Sequence, residues 1–394
     1  VRIRLRIHRA FHTAAVLGWL TILSAASHAG TTQCADVGED FATASPSSQG
    51  FSAARLSSML HTLDQARLDI RAVLVLRDCH VVLERYKAGI GRGYNHAMYS
   101  VTKSISSTLV GALLMQGKIH DMNAPIPQLI ERPRGLSEAE WKHLDQISLK
   151  NVMQMASGFD YQHNPATNPI YDTRQDRVRL VVNQRVASPP GTRFNYSDAD
   201  ATLTGTVIAG AAGTSLLAFA EKTLFEPLKM RNVAWWFPDQ GARVPGGWGL
   251  RLRPMDMLKL GQLYLQQGQW NGSAIFAPEY REMAWAPGVS ERYGLHWWRG
   301  RVNGVQVFFA NGYKGQRIYI FPALNTVVAI VSSVNGEEET AVTATITKAV
   351  VEAANKNGDA VADDGDADLL KEQAKGFDGE TRIRQDMQDA PRRF

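Results

Sequence analysis

The strand-forming segments of this chain fall into two sets far apart in sequence, and a sheet that uses both must bring the chain ends together. Ile70-Arg71-Ala72-Val73-Leu74-Val75-Leu76 and Val81-Val82-Leu83-Glu84-Arg85-Tyr86 are joined by the short polar link Arg77-Asp78-Cys79-His80. Such runs of β-branched and aliphatic residues across a short link predict an antiparallel hairpin. Comparable runs return only near Tyr293. Leu295 to Val302 leads into Asn303-Gly304, a two-residue hairpin signal, and Val305 to Phe309, Arg317 to Phe321 and Thr326 to Ser332 follow.

Helical spacing brackets both sets. Leu56, Met59, Leu60 and Leu63 follow a capping Ser52, and Val342, Ile346, Val350 and Val351 share one face between Glu337 and Ala354. From Ser100 to about Trp285 the pattern is largely helical, broken at Pro125-Ile126-Pro127, Pro189-Pro190-Gly191 and Pro245-Gly246-Gly247. This order predicts an α+β fold. An antiparallel sheet is built from both chain ends and covered by its terminal helices, with a helical domain inserted. The expected divisions are a leader (1–29), an N-terminal extension (30–50), a sheet domain (51–95 and 290–354), a mostly helical domain (96–289) and a tail (355–394).

The leader reads as a targeting signal. Arg2, Arg4, Arg6 and Arg9 precede an apolar run from Ala14 to Ala26, and Ser27-His28-Ala29 resembles a small-x-small cleavage site. The run is short of the roughly 20 residues that span a bilayer. Cleavage is expected after Ala29, leaving an exported chain without a stable membrane anchor; the alternative is an uncleaved anchor. The formal charge is +5, and those four arginines supply most of it. The remainder gives no reason to propose nucleic acid as a partner. Cys34 and Cys79 both lie beyond the proposed cut, where a disulfide or two free thiols are open. The tail, with Asp359, Asp363, Asp364, Asp366 and Asp368 among Ala and Gly, is expected to be solvated and disordered.

Ser100-Val101-Thr102-Lys103 precedes Ile105, Leu109, Leu113 and Leu114 at helical spacing, which places Ser100 at a helix start. The helix dipole and free N–H groups there favour a developing oxyanion. Residues three apart share a helix face, so Lys103 can reach the Ser100 hydroxyl, a nucleophile that needs a base. By itself this four-residue pattern carries little information. Two further elements add to it. Tyr196, after Pro189-Pro190-Gly191-Thr192-Arg193-Phe194, can relay a proton to a leaving group. Ala310-Asn311-Gly312-Tyr313-Lys314-Gly315-Gln316 ends a predicted strand, where glycine permits close backbone approach to a ligand. A Tyr313 N–H can then join that of Ser100 as a second oxyanion donor.

In order and spacing these three elements resemble the serine β-lactamase and penicillin-binding-protein superfamily, and within it the class C-like esterases, amidases and D-aminopeptidases. Asn151-Val152-Met153-Gln154-Met155-Ala156-Ser157-Gly158, Pro190 to Ser197 and Phe225-Glu226-Pro227-Leu228-Lys229-Met230 carry the likeness from Ser52 to Ala354. Tyr293-Gly294-Leu295-His296-Trp297-Trp298 and the segment from Ala310 to Gln316 look most like the 6-aminohexanoate-dimer hydrolase branch, which is similar to carboxylesterases. The resemblance implies Ser100 as nucleophile, Lys103 as base and Tyr196 as proton relay, acting on a small-molecule ester or linear amide through an acyl-enzyme. Asp198, Asn311, Gly312, Tyr171 and Trp298 are expected to line the substrate site.

Two positions depart from the pattern. Asp198 stands where these families usually have Asn. An ionised Asp cannot donate to a substrate carbonyl and favours a charged Lys103, shifting proton transfer toward Tyr196. Ala310 stands where β-lactamases carry a basic residue, and Lys314 is its nearest substitute. Both argue against efficient β-lactam hydrolysis. β-Lactamase, D-alanyl-D-alanine carboxypeptidase or D-aminopeptidase activity is the enzymatic alternative, and a non-catalytic ligand-binding protein is the alternative from another class. No Gly-x-Ser-x-Gly elbow and no His-Glu-x-x-His is present, and no histidines are spaced as a metal pair, so no cofactor or metal is expected. His96, one helical turn before Ser100, reads as a loop or packing histidine, the alternative being a minor role at the pocket rim.

Overall fold

The computed structural model describes residues 33–354 and 360–377. The strands of the main sheet are β1 (Ala42–Thr43), β2 (Ile70–Arg77), β3 (His80–Tyr86), β4 (Trp298–Val302), β5 (Val305–Gly312), β6 (Gln316–Phe321) and β7 (Thr326–Ser332). The helices used below are α1 (Ala53–Ala66), α2 (Thr102–Met115), α3 (Arg177–Val182), α4 (Asp198–Ala212), α5 (Pro254–Leu265), α6 (Gly336–Ala353) and α7 (Asp366–Lys375). The seven strands form one sheet in the order β1-β3-β2-β7-β6-β5-β4. Every pairing is antiparallel except that of β1 with β3. The two expected strand sets meet where β7 pairs with β2, Val328 opposite Val75 and Ile330 opposite Val73. The sheet thus joins the two ends of the chain, as its segment order predicts.

Alternation along the strands sorts the core into two clusters. Ala72, Leu74 and Leu76 of β2, with Val327, Ala329 and Val331 of β7, face α2 and α5. Val73 and Val75, with Val328 and Ile330, face α1 and α6. Burial on both faces explains why these strands read as continuous apolar runs. Each buried aliphatic side chain contributes roughly 1.5–3 kcal/mol, so the two clusters dominate the stability of the sheet. The first cluster continues without a break from the sheet into the helical region, so the two divisions read from the sequence share one core.

Two segments outside the sheet differ from, or lie beyond, the sequence expectation. Cys34 and Cys79 are joined as a disulfide, tying the N-terminal extension to the β2–β3 turn. Part of the acidic tail is ordered rather than solvated. Leu369 and Phe377 are buried in the outer cluster, and the Arg85 guanidinium lies over the Phe377 ring at 4.3 Å. The aspartates also have specific partners, since Asp364 accepts hydrogen bonds from Ser52 Oγ and Ala54 N at the start of α1. Composition hides this because only two apolar side chains anchor the segment. The leader 1–29 and its cleavage point lie outside the described residues, as does the chain end beyond 377.

Candidate active site

Ser100 lies on a single 3-10 turn, Tyr99–Val101, that runs directly into α2. Tyr99 has φ 45°, a left-handed conformation that a bulky residue holds only when its surroundings impose it. The turn leaves Ser100 half-buried at the positive end of a 14-residue helix. The rotation of α2 is fixed by its own small polar residues. Ser104, Ser106 and Ser107 donate to the carbonyls of His296, Gly246 and Leu295 at 2.8, 2.6 and 2.7 Å. Buried hydroxyls satisfied in this way hold the helix in one orientation.

That orientation points Lys103 back at Ser100. Its Nζ donates to Ser100 Oγ at 3.0 Å, to Asp198 Oδ1 at 2.5 Å and to the Gly247 carbonyl at 3.1 Å. An ammonium has three donors, and all three are used. Lys103 is 1 % exposed. Burial pushes its amine down, but the Asp198 carboxylate and then Tyr196 overrule this and hold it above its ordinary value. Lys103 is therefore an ammonium at neutral pH. Gly247 makes room for it: a Cβ there would lie 3.2 Å from Nζ and 2.7 Å from the Ala201 Cβ.

Asp198 is the hub of the polar cluster. It is the first residue of α4, behind the cap Ser197, where the helix dipole favours its charge. Burial pushes its carboxyl up, but Lys103, His163 and Tyr171 together hold it well below the usual carboxylate range. The Tyr171 hydroxyl donates to Oδ2, the Tyr161 hydroxyl lies 3.5 Å from the same oxygen, and so does His163 Nδ1. Burial, then the Asp198 charge, drives Tyr171 well above the ordinary phenol value, so it stays a donor. Asp198 and Tyr171 thus pair with each other, and Asp198 with the Lys103 that reaches Ser100. Tyr161 and His163 join the cluster without any sequence signal. Both come from an irregular loop whose residues carry no periodic spacing.

Tyr196 is held by its neighbours in sequence. Asn195 N donates to the Met155 carbonyl at 2.8 Å, and Asn195 Nδ2 donates to the Tyr161 carbonyl at 3.1 Å. The Lys103 ammonium lies 4.9 Å from the centre of the Tyr196 ring. Trp298 stacks on that ring at 5.7 Å, and Tyr293 meets it edge-on at 6.0 Å. Phe194 and Phe309 lie at 6.3 Å from Trp298. Trp298 therefore lies beside Tyr196 within an aromatic wall.

Strand β5 closes the site from the sheet side. Its Gly312 packs so close to the Ser100 turn that a Cβ would fall 2.3 Å from the Met98 carbonyl oxygen. Glycine is thus required here by the approach of two stretches of the chain itself. The next residue, Tyr313, has an exposed ring set edge-on to Tyr99 at 5.5 Å. Ala310 shares the inner face with Gly312 and is fully buried. Asn311 falls between them in the strand, on the face opposite to theirs. Lys314 is buried in a left-handed turn, 5.9 Å from the Tyr99 ring centre, beyond the position that Ala310 leaves without charge.

Behind the site lie two buried groups that carry no sequence signal. His296 has φ 59°, shares a hydrogen bond between its Nε2 and Thr204 Oγ1 at 2.9 Å, and is held neutral because burial pushes it down to about 3. Asp200 is fully buried with Ser157 Oγ at 2.6 Å, and burial pushes its carboxyl up to about 8. His96 is likewise buried, and burial pushes it down to about 3. Among the described residues, no group of three or more His, Cys, Asp and Glu side chains is placed to hold a metal ion.

A sheet edge against a serine-bearing helix start, with a lysine one turn on, defines a serine hydrolase acting on amides or esters. The chain belongs to the Beta-lactamase family, whose model matches residues 64–353. It is 24 % identical over 314 residues to the 6-aminohexanoate-dimer hydrolase of Paenarthrobacter ureafaciens, covering 71 % of this chain and 76 % of that one. A Salmonella paratyphi A protein provisionally named a D-alanyl-D-alanine carboxypeptidase is 24 % identical over 222 residues, 49 % of this chain and 50 % of the relative. The chain thus spans about half the length of that relative. A solved structure from Bacillus anthracis, provisionally named a 6-aminohexanoate-dimer hydrolase, superposes with TM-score 0.64 at 20 % identity, covering 79 % of this chain and 86 % of that one, and shows the shared fold.

Proposed function

We propose that this protein is an exported hydrolase of short esters and linear amides in which Ser100 is the nucleophile. The observation that carries this is the single Lys103 ammonium donating at once to Ser100 Oγ and Asp198 Oδ1. With its three protons engaged, Lys103 acts as a fixed positive charge beside the attacking oxygen. Tyr196, under the same charge, relays the proton. As Ser100 Oγ bonds to the carbonyl carbon, the serine proton passes to the Tyr196 oxygen while the phenol's own proton moves on toward the leaving-group atom, so that Tyr196 never carries two protons. The Tyr196 proton goes to the departing alkoxide or amine as its bond to carbon breaks. Backbone N–H groups of Ser100 and Tyr313 hold the carbonyl oxygen between them, with the α2 dipole behind. Water then repeats the sequence in reverse to release the acid.

The absence of charge at Ala310 and the engagement of Asp198 favour substrates without a carboxylate near the scissile bond. The aromatic wall of Tyr196, Trp298 and Phe194 suits an apolar acyl or leaving group. The name of the Paenarthrobacter ureafaciens relative supports linear amides as a substrate class. Export is supported by the basic-apolar start of the sequence and by the Cys34–Cys79 disulfide, a bond that persists in oxidising compartments.

A fluorophosphonate probe tests the nucleophile. Peptide mapping is expected to place the adduct on Ser100, and no labelling or an adduct elsewhere overturns the assignment. A panel of p-nitrophenyl esters, a linear aminohexanoate dimer, D-amino-acid amides and a chromogenic cephalosporin tests the substrate class.

A further inference from the structure

His296 bonds both to the helix that carries Lys103 and to the helix that carries Asp198, and no step of the reaction uses its ring. It is 1 % exposed and has φ 59°, a backbone conformation that glycine or asparagine adopts with less strain. A larger side chain stays in that conformation only where its contacts hold it. The His296 backbone N–H donates to the Met153 carbonyl at 3.0 Å, and its carbonyl accepts from Ser104 Oγ of α2 at 2.8 Å. Its Nε2 lies 2.9 Å from Thr204 Oγ1 of α4. The Thr204 hydroxyl proton is directed to the Asp200 carbonyl at 3.1 Å, which assigns Nε2–H as the donor and Thr204 Oγ1 as its acceptor. Nδ1 has no hydrogen-bond partner among the described residues. Burial, and after it the Lys103 charge, push the imidazole down to about 3, so the ring is a neutral, fixed donor at neutral pH.

Ser104 is the residue after Lys103, and Thr204 lies further along the helix that Asp198 begins. The Lys103–Asp198 contact is made across the same two helices. The Ser104 bond reaches only the His296 backbone, and any residue could accept it. The bond to Thr204 needs a side-chain N–H at the reach of Nε2. We propose that His296 is a positioning residue for the reacting groups: its Nε2–Thr204 hydrogen bond holds α4 against α2 at the spacing that keeps Asp198 Oδ1 on Lys103 Nζ. The inference rests on reading Ser100 as the nucleophile and Lys103 as its fixed charge. Misplacing such a group by about 1 Å costs up to about a hundredfold in rate.

Thr204→Val removes the acceptor with little change of shape, and Thr204→Ser restores the hydroxyl. Thr204→Val is expected to lower kcat for p-nitrophenyl esters about tenfold or more with KM within about twofold, and Thr204→Ser to regain most of that loss. His296→Gly, which suits φ 59°, is expected to lose kcat to a similar extent. Combined with Thr204→Val it should lose no more, because both variants break the same bond. In protein labelled with carbon-13 at lysine Cε, Lys103 is expected to give up its proton at lower pH in Thr204→Val than in the wild type, since the Asp198 carboxylate then opposes burial less closely. A residue that only filled space would lower the urea midpoint and leave kcat and the Lys103 titration at wild type. Unchanged kcat in Thr204→Val, an equal loss in Thr204→Ser, or an unchanged Lys103 titration would each overturn the proposal. If the wild type neither takes up fluorophosphonate nor hydrolyses an ester, the reading of Ser100 fails by itself, and the Lys103 titration still decides the role of His296.

Discussion

Asp198 Oδ1 lies 2.5 Å from Lys103 Nζ, and neither side chain is more than 5 % exposed. This pairing changes what the lysine can do. Where an amide at position 198 would leave burial to dominate, the carboxylate keeps Lys103 charged. The raised lysine value makes its stabilising contribution complete below its ordinary 10.5 and lost only as pH rises through the folded value. The depressed aspartate makes its own contribution present above 3.8 and lost as pH falls through the folded value. Between these limits the pair is intact.

Asp198→Asn should therefore lower the Lys103 value and bring an alkaline loss of ester hydrolysis to lower pH than in the wild type. A pH–rate profile of kcat/KM checks it. Increased activity of the variant at neutral pH would instead mark Lys103 as a neutral base. Asp198→Ala should also destabilise the fold by about 3–5 kcal/mol in urea unfolding, because it strands a buried ammonium.

Ser100→Ala should abolish ester hydrolysis and fluorophosphonate labelling while leaving the far-ultraviolet circular dichroism and Tm close to wild type. The residue is half-buried on a turn whose backbone hydrogen bonds do not depend on its hydroxyl. Wild-type turnover in the purified variant would remove Ser100 from the mechanism.

Short p-nitrophenyl esters should be hydrolysed and a chromogenic cephalosporin scarcely or not at all. A β-lactam presents a carboxylate and an amide that need a cation near position 310 and a donor at 198, and this chain has Ala310 and Asp198. A missing charge-assisted hydrogen bond costs about 1.5–3 kcal/mol, so the two absent here imply roughly a hundredfold or greater deficit in kcat/KM. Steady-state kinetics on both substrates checks the ratio.

Asp200 gives a stability prediction of opposite sign to Asp198. Its folded-state value of about 8 exceeds the ordinary 3.8, so the folded protein binds the extra proton between these limits. Wild-type stability should therefore carry a contribution that falls as pH rises from about 4 to 8. In Asp200→Asn that contribution is absent, and the stability difference from wild type should shift in favour of the variant across this range. Urea unfolding at a series of pH values measures it, and a pH-independent difference would show that the carboxyl does not carry its proton in the fold.

Cys34→Ser with Cys79→Ser opens a loop closed across 45 residues. The chain-entropy argument gives roughly 4 kcal/mol for a loop of this size. The double variant should unfold at lower urea with an unchanged end state, while ester turnover persists, since the bond lies at the β2–β3 turn away from Ser100.

The sheet is legible in the residue order, because alternation and hairpin chemistry are local: Asn303-Gly304 turns β4 into β5, and doubly buried strands need unbroken apolar runs. The nearness of Ser100 and Lys103 is legible too, since three residues on a helix fix their separation. What those residues face is a matter of packing. Asp198 and Gly247 reach Lys103 from segments 95 and 144 residues away, and only the packing of α4 against α2 makes the lysine an ammonium. Strand phase sets Asn311 on the face opposite to Ala310 and Gly312. Two anchoring side chains, Leu369 and Phe377, ordered a tail whose composition reads as solvated. Charge state and burial are properties of neighbours, and neighbours distant in sequence are set only when the chain has folded.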